Sequence, residues 1–89
     1  MKNSWYKQYE QLSLQGGKFT PIVEDDEDMF TITYNNGLTI DVGYIKEENS
    51  YYITVVYHDN WQNIIEEIPV INKENLLLAV QSTINKYRK

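Results

Sequence analysis

In 89 residues the chain has no cysteine, a single histidine, two prolines and four glycines. The absence of cysteine excludes a disulfide, a thiol nucleophile and a cysteine-ligated zinc. One histidine, His58, cannot complete a usual zinc site. No apolar run approaches the roughly 18 residues of a spanning helix, and the opening MKNSWYKQYEQ lacks the apolar stretch of a secretion signal. A cytoplasmic protein that makes no membrane contact is the expectation, and no cofactor is indicated. Little Gly and Pro, with 42% hydrophobic and 24% charged residues, is the composition of one folded domain over 1–89 rather than of a disordered chain.

Basic residues are nearly missing from the middle. Residues 1–18 hold Lys2, Lys7 and Lys18 against Glu10, and residues 73–89 hold Lys73, Lys86, Arg88 and Lys89 against Glu74. Between them, residues 19–72 hold eleven acids and one base, Lys46. The three segments carry +2, −10 and +3 within a net charge of −5. Such a middle repels nucleic acid and attracts a basic protein surface.

What the chain does have is periodicity. Trp5, Tyr9 and Leu12 stand at i, i+4 and i+7 and predict a short N-terminal helix, capped by Ser4 and ended by Gly16-Gly17. KFTPIV (18–23) predicts a strand that Pro21 confines to an edge. In MFTITYNNGLTIDVGYI, Phe30, Ile32 and Tyr34, then Leu38, Ile40, Val42 and Tyr44, recur with a period of two. Asn36-Gly37 invites a two-residue hairpin turn, but that register opposes Ile32 to Asp41. A three-residue turn, Asn35 to Gly37, opposes Ile32 to Ile40 and Phe30 to Val42. A one-residue slip exchanges the two faces of a strand, so the apolar pattern selects the three-residue turn, with Gly37 left-handed in a bulge.

KEENS (46–50) reads as a polar hairpin loop, and YYITVVYH (51–58) as a central strand, fairly apolar on both faces. Alternation leaves two choices there: either Ile53, Val55 and Tyr57 face the core, or Tyr52, Thr54, Val56 and His58 do. IIEEIPV (64–70) is a further strand that Pro69 places at an end or an edge. Leu76, Leu77, Val80, Ile84 and Tyr87 form the stripe of a C-terminal helix, with Asn72 as N-cap and Lys86, Arg88 and Lys89 at its last turn. The fold class is α+β: an antiparallel meander of four to five strands, with a short N-terminal helix and a C-terminal amphipathic helix packed on the sheet.

The acidic run Glu24, Asp25, Asp26, Glu27 and Asp28 raises the question of metal binding. Asp26 and Asp28 alternate as in a calcium loop, but no glycine follows and Met29-Phe30 interrupts. Two readings remain: a solvated hairpin tip that blunts an edge strand, or a surface that docks on a basic groove. Catalytic patterns are missing. Asp59 follows His58, yet Ser4, Ser13, Ser50 and Ser82 stand outside any nucleophile-elbow context. Glu66 and Glu67 are neighbours in a strand, so they point to opposite faces and make a poor acid–base pair. Gly16-Gly17 lacks the neighbours of a phosphate loop. A non-enzymatic protein is expected. Aromatic residues are plentiful, with eight Tyr, two Trp and two Phe. Tyr51, Tyr52, Tyr57 and Trp61 gather around one strand and its following turn, and Tyr and Trp are common interface anchors.

The element order resembles that of a double-stranded-RNA-binding domain. That family's basic cluster would fall at Asn72–Asn75, which reads NKEN, so direct nucleic-acid binding is not expected. In size, acidity and aromatic content the chain resembles a group of small, cysteine-free α+β inhibitors: toxin immunity proteins, and phage or mobile-element proteins that block host defence nucleases. That resemblance implies a non-enzymatic inhibitor docking on a basic, nucleic-acid-handling protein. It carries no motif, so the candidate contacts come from charge and aromatic placement alone. They are Glu24 to Asp28, extended by Glu47, Glu48, Asp59, Glu66 and Glu67, with Tyr51, Tyr52, Tyr57 and Trp61 as apolar anchors. The alternative is an oligomeric small-ligand-binding protein, a homodimer for example, with an aromatic-lined pocket.

Overall fold

The computed structural model describes residues 5–22 and 28–88. Five antiparallel strands lie side by side in chain order: β1 (Lys18–Pro21), β2 (Asp28–Thr33), β3 (Leu38–Ile45), β4 (Ser50–Tyr57) and β5 (Glu66–Val70). A 3-10 turn, Trp5–Gln11, precedes the sheet, and the helix α1 (Leu76–Tyr87) follows it. This is the expected α+β meander. The two proline-bearing strands, β1 and β5, are its edges.

The β2–β3 hairpin adopts the register selected by the apolar pattern. Phe30 pairs with Val42 and Ile32 with Ile40. Tyr34 N–H donates to Leu38 O at 3.0 Å, and Gly37 N–H donates to Tyr34 O at 3.1 Å. Gly37 has φ +92°, where a glycine pays no steric penalty. It also has a neighbour: a Cβ at this position would collide with the His58 imidazole. The His58 backbone N–H in turn donates to Gly37 O at 2.8 Å. His58 is thus a turn residue that seats one hairpin end against the next strand.

One face of the sheet makes the core. Phe30, Ile32, Leu38, Ile40, Val42, Ile53 and Val55 are fully buried beneath Leu76, Val80 and Ile84 of α1. This settles the choice on β4: Ile53 and Val55 face inward, with Tyr57 packed beside them. The N-terminal segment shares the same face. Tyr9 and Leu12 are buried in the core cluster, and the Tyr9 ring lies 4.9 Å from that of Phe30. Burial pushes the Tyr9 hydroxyl up to about 12.

Three local expectations are corrected. The N-terminal segment is a 3-10 turn that ends at Gln11, before Gly16-Gly17. Ser13 takes over there by bonding to α1: its N–H donates to Gln81 Oε1 at 2.8 Å, and Gln81 Nε2 donates to Ser13 O at 3.1 Å. The proposed cap Ser4 lies outside the described residues. At the other end, Asn72 is extended and makes no side-chain cap bond, because a separate 3-10 turn, Lys73–Asn75, stands between it and α1. Finally, β5 starts at Glu66 rather than at Ile64. His58 and Asp59 are both left-handed (φ 56° and 58°), and the connection they begin runs through Trp61 with Ile64 and Ile65 exposed.

Further polar bonds complete a clasp between the segment after the first turn and the helix. Gln15 Nε2 donates to Asn85 Oδ1 at 2.8 Å. The Arg88 guanidinium lies over the Tyr34 ring, 4.3 Å from its centroid, while the Tyr34 hydroxyl donates to Leu14 O at 2.7 Å.

Candidate partner-binding face

Among the described residues no helix lies over the second face of the sheet, although Val56, Ser50 and Thr39 on it are buried. Strand alternation fixes what it shows. From β1 come Lys18 and Thr20; from β2, Thr31 and Thr33; from β3, Thr39, Asp41, Gly43 and Ile45; from β4, Ser50, Tyr52, Thr54 and Val56; from β5, Glu67 and Pro69. Among the described strand residues the one base on this face is Lys18, on the edge strand β1. The pairing sets these side chains in rows across the strands. Thr31, Asp41, Thr54 and Glu67 form one row, and Gly43, Tyr52 and Pro69 form the next.

Along these two rows lies a shallow hollow of about 210 Å³, walled by Asp41, Gly43, Tyr44, Ile45, Tyr52, Thr54 and Glu67. Gly43 stands opposite Tyr52 and contributes no side chain, so room is left beside the tyrosine ring. The ring is held in place. Its hydroxyl donates to Glu48, in the 3-10 turn Lys46–Glu48 that joins β3 to β4. That bond, more than anything else, raises the Tyr52 hydroxyl above its ordinary value, and the nearby Glu67 carboxylate adds to the rise. Asp28, last of the five consecutive acids, begins β2 opposite Gly43. Of the acidic run, the Asp28 backbone is thus next to a residue of this hollow.

The sequence-derived contact residues divide between surfaces. Glu24, Asp25, Asp26 and Glu27 lie outside the described residues, and of Asp28 only the backbone is described. Glu47 and Glu48 are exposed at the hairpin tip, and Tyr52 and Glu67 face the open side. Tyr51 and Tyr57 point the other way and pack against the core, with Tyr51 also 4.8 Å ring to ring from Tyr44. Glu66 is engaged beneath the helix. It accepts from Tyr87 Oη at 2.6 Å and from Lys86 Nζ at 2.9 Å, and these bonds hold its carboxyl below the usual range. Glu66 and Glu67 thus face opposite ways. Asp59 and Trp61 belong to the exposed β4–β5 connection, at the end of β4 away from the Glu47–Glu48 tip.

Asp41, Gly43 and Thr54 were not singled out in the sequence. A signal for them exists. Once the β2–β3 register is set, alternation puts Asp41 on the face away from Ile40, and continuing the ladder through the KEENS loop brings Thr54 beside it. A second hollow, about 290 Å³, is mainly apolar and lies against the exposed Leu78, with Leu12 and Leu77 in its wall. Among the described residues no three His, Asp or Glu side chains gather to hold a metal ion, and no helix is long and apolar enough to cross a membrane. No protein-family model, no curated protein and no solved structure matches the chain.

Proposed function

We propose that the protein is a non-enzymatic inhibitor that docks its acidic sheet surface on a basic, nucleic-acid-handling protein, in the manner of toxin-immunity and counter-defence proteins. One observation carries the reading: the sheet face away from α1 presents Asp41, Glu67 and Tyr52, its one base among the described strand residues is Lys18 on the edge strand, and Asp28, last of the five acids, begins β2 opposite Gly43. A mainly acidic surface steers a basic partner and speeds encounter at low salt. The same sign disfavours nucleic acid itself.

The test has two stages. The intact protein captures partners from its source cells at low salt, and the partners are identified. Association with the purified partner is then timed across a salt series, for the natural chain and for one with Glu24 to Asp28 changed to Gln and Asn. Slower association with a flatter salt dependence supports docking. A partner without basic character, or kinetics indifferent to salt, sinks it.

A second reading, a small-ligand site, has one observation behind it: Tyr44 and Tyr52 both line the open-face hollow. At about 210 Å³ that hollow falls short of the roughly 300–1,000 Å³ of small-molecule sites. Native mass spectrometry of protein from cells, showing a retained small molecule, would favour this reading instead.

A further inference from the structure

We infer that the open-face hollow is a receptor for one arginine side chain of a basic protein partner. The inference rests on the docking reading for the source of that side chain, and adds which residues receive it and what chemistry they select.

Three features of the hollow select the occupant. The first is size: about 210 Å³ suits a single side chain rather than a cofactor-sized molecule. The second is charge. Asp41 and Glu67 stand on either side of Thr54 in one row of the sheet, one strand apart from it each, and among the described residues no basic side chain lines the hollow. A cation entering here meets two carboxylates across a gap one strand wide on each side. The third is the ring. Tyr52 lies in the adjoining row, with Gly43 next to it, and its hydroxyl is anchored by Glu48. An anchored ring gives a flat surface of fixed orientation, and Gly43 opposite it adds no side chain of its own.

Arginine fits these features better than lysine. A guanidinium is planar, stacks on an aromatic ring and presents several N–H donors in its plane, so it can lie along the Tyr52 ring while bonding carboxylates at its rim. A lysine ammonium is a compact charge and would use only the carboxylates. Glu48 adds further negative potential without entering the wall, since its carboxylate already receives the Tyr52 hydroxyl. The backbone of Asp28, last of the five acids, pairs opposite Gly43 at the same end of the face.

The probe is a short capped peptide, Gly-Arg-Gly, titrated into the ¹⁵N-labelled full chain, with the citrulline and lysine peptides as comparisons. The expected result is a saturable set of amide shifts confined to Asp41, Gly43, Tyr52, Thr54, Glu67 and their chain neighbours. Citrulline gives none, and lysine binds more weakly. Tyr52→Ala and Glu67→Gln each lower the affinity about fivefold to tenfold, the size of one cation–π or charged contact. Both side chains are on the open face, so the ¹⁵N spectrum of each variant verifies that the fold is kept. Shifts spread over the surface or centred on the Leu78 hollow, equal binding of lysine or citrulline, or no saturable shift up to about 10 mM peptide overturns the inference. The two readings fail separately. Peptide binding here with no basic partner in cells removes the docking function and keeps the receptor. A basic partner whose affinity ignores Y52A and E67Q removes the receptor and keeps the docking.

Discussion

The two faces of the sheet are built from alternate residues of the same strands, yet they share almost nothing. The covered face is aliphatic and aromatic, and seven of its side chains on β2 to β4 are fully buried. The open face is threonine-rich, with Asp41, Glu67 and Tyr52 half-buried or exposed, and its burial is confined to Thr39, Val56 and Ser50 toward the strand ends. Burial of apolar area is what offsets chain entropy, so the covered face specifies the fold. The open face contributes mainly β-propensity through its threonines. That leaves its exposed positions, Glu67 among them, less constrained by packing.

The largest expected effect compares adjacent residues on β4. Ile53→Ala removes fully buried atoms and should cost about 2–5 kcal/mol, whereas Thr54→Ala should cost about 1 kcal/mol or less. Urea midpoints of the two variants measure the difference, and similar losses would break the division between faces. Next comes the turn that keeps the faces from exchanging. Gly37→Ala meets both the left-handed backbone and the His58 ring, and should cost about 1–3 kcal/mol. Adding His58→Ala should return part of this by removing the collision, leaving the backbone strain. A double-mutant cycle that shows no coupling would mean the ring simply moves aside.

The smallest effect compares two neighbouring carboxylates. Glu66, bonded first by Tyr87 and then by Lys86, has its carboxyl held below the ordinary 4.5. A lowered folded value gives stability that is present above the unfolded value and is lost as pH falls through the folded one. Glu66→Gln should therefore cost about 0.5 kcal/mol at neutral pH, a modest figure for a partly exposed pair. The gap from the natural chain should close as the pH drops below 4.5. Glu67→Gln should leave stability unchanged at both pH values. Chemical unfolding at pH 7 and pH 3 distinguishes them.

Much of this division was legible in the sequence, and the illegible parts have physical reasons. The β2–β3 register follows from opposing Ile32 to Ile40, since any slip buries Asp41. Pro21 and Pro69 mark the edges because neither can donate to a ladder. The facing of β4 was open because Tyr51 and Tyr52 are the same residue type on opposite faces, so pattern could not rank them. Only the pairing of Ile53 with Val42 and Ile68 decides it. The N-terminal segment has helical spacing, but seven residues cannot sustain an α-helix alone. Its shape is set instead by packing Tyr9 on Phe30 and by the bonds of Ser13 to Gln81. Those partners are 68 residues apart in the chain, beyond the reach of any local pattern. Asp41 went unremarked because a single acid in an alternating strand looks like ordinary solvent-facing polarity. Its significance comes from Glu67, two strands away.

The same clasp bears on the order in which the molecule assembles. Every strand pairs with its neighbour in the chain, so the sheet closes only short loops. The bonds of Ser13 to Gln81, Gln15 to Asn85 and Arg88 to Gln15 span 68, 70 and 73 residues. Closing longer loops costs more entropy, and such contacts form late. The meander is therefore expected to condense first and the clasp to lock last, opening first when the native state fluctuates. Amide exchange reads this directly: the Ser13 proton should exchange well before that of Ile53, and the reverse order would place the lock ahead of the sheet.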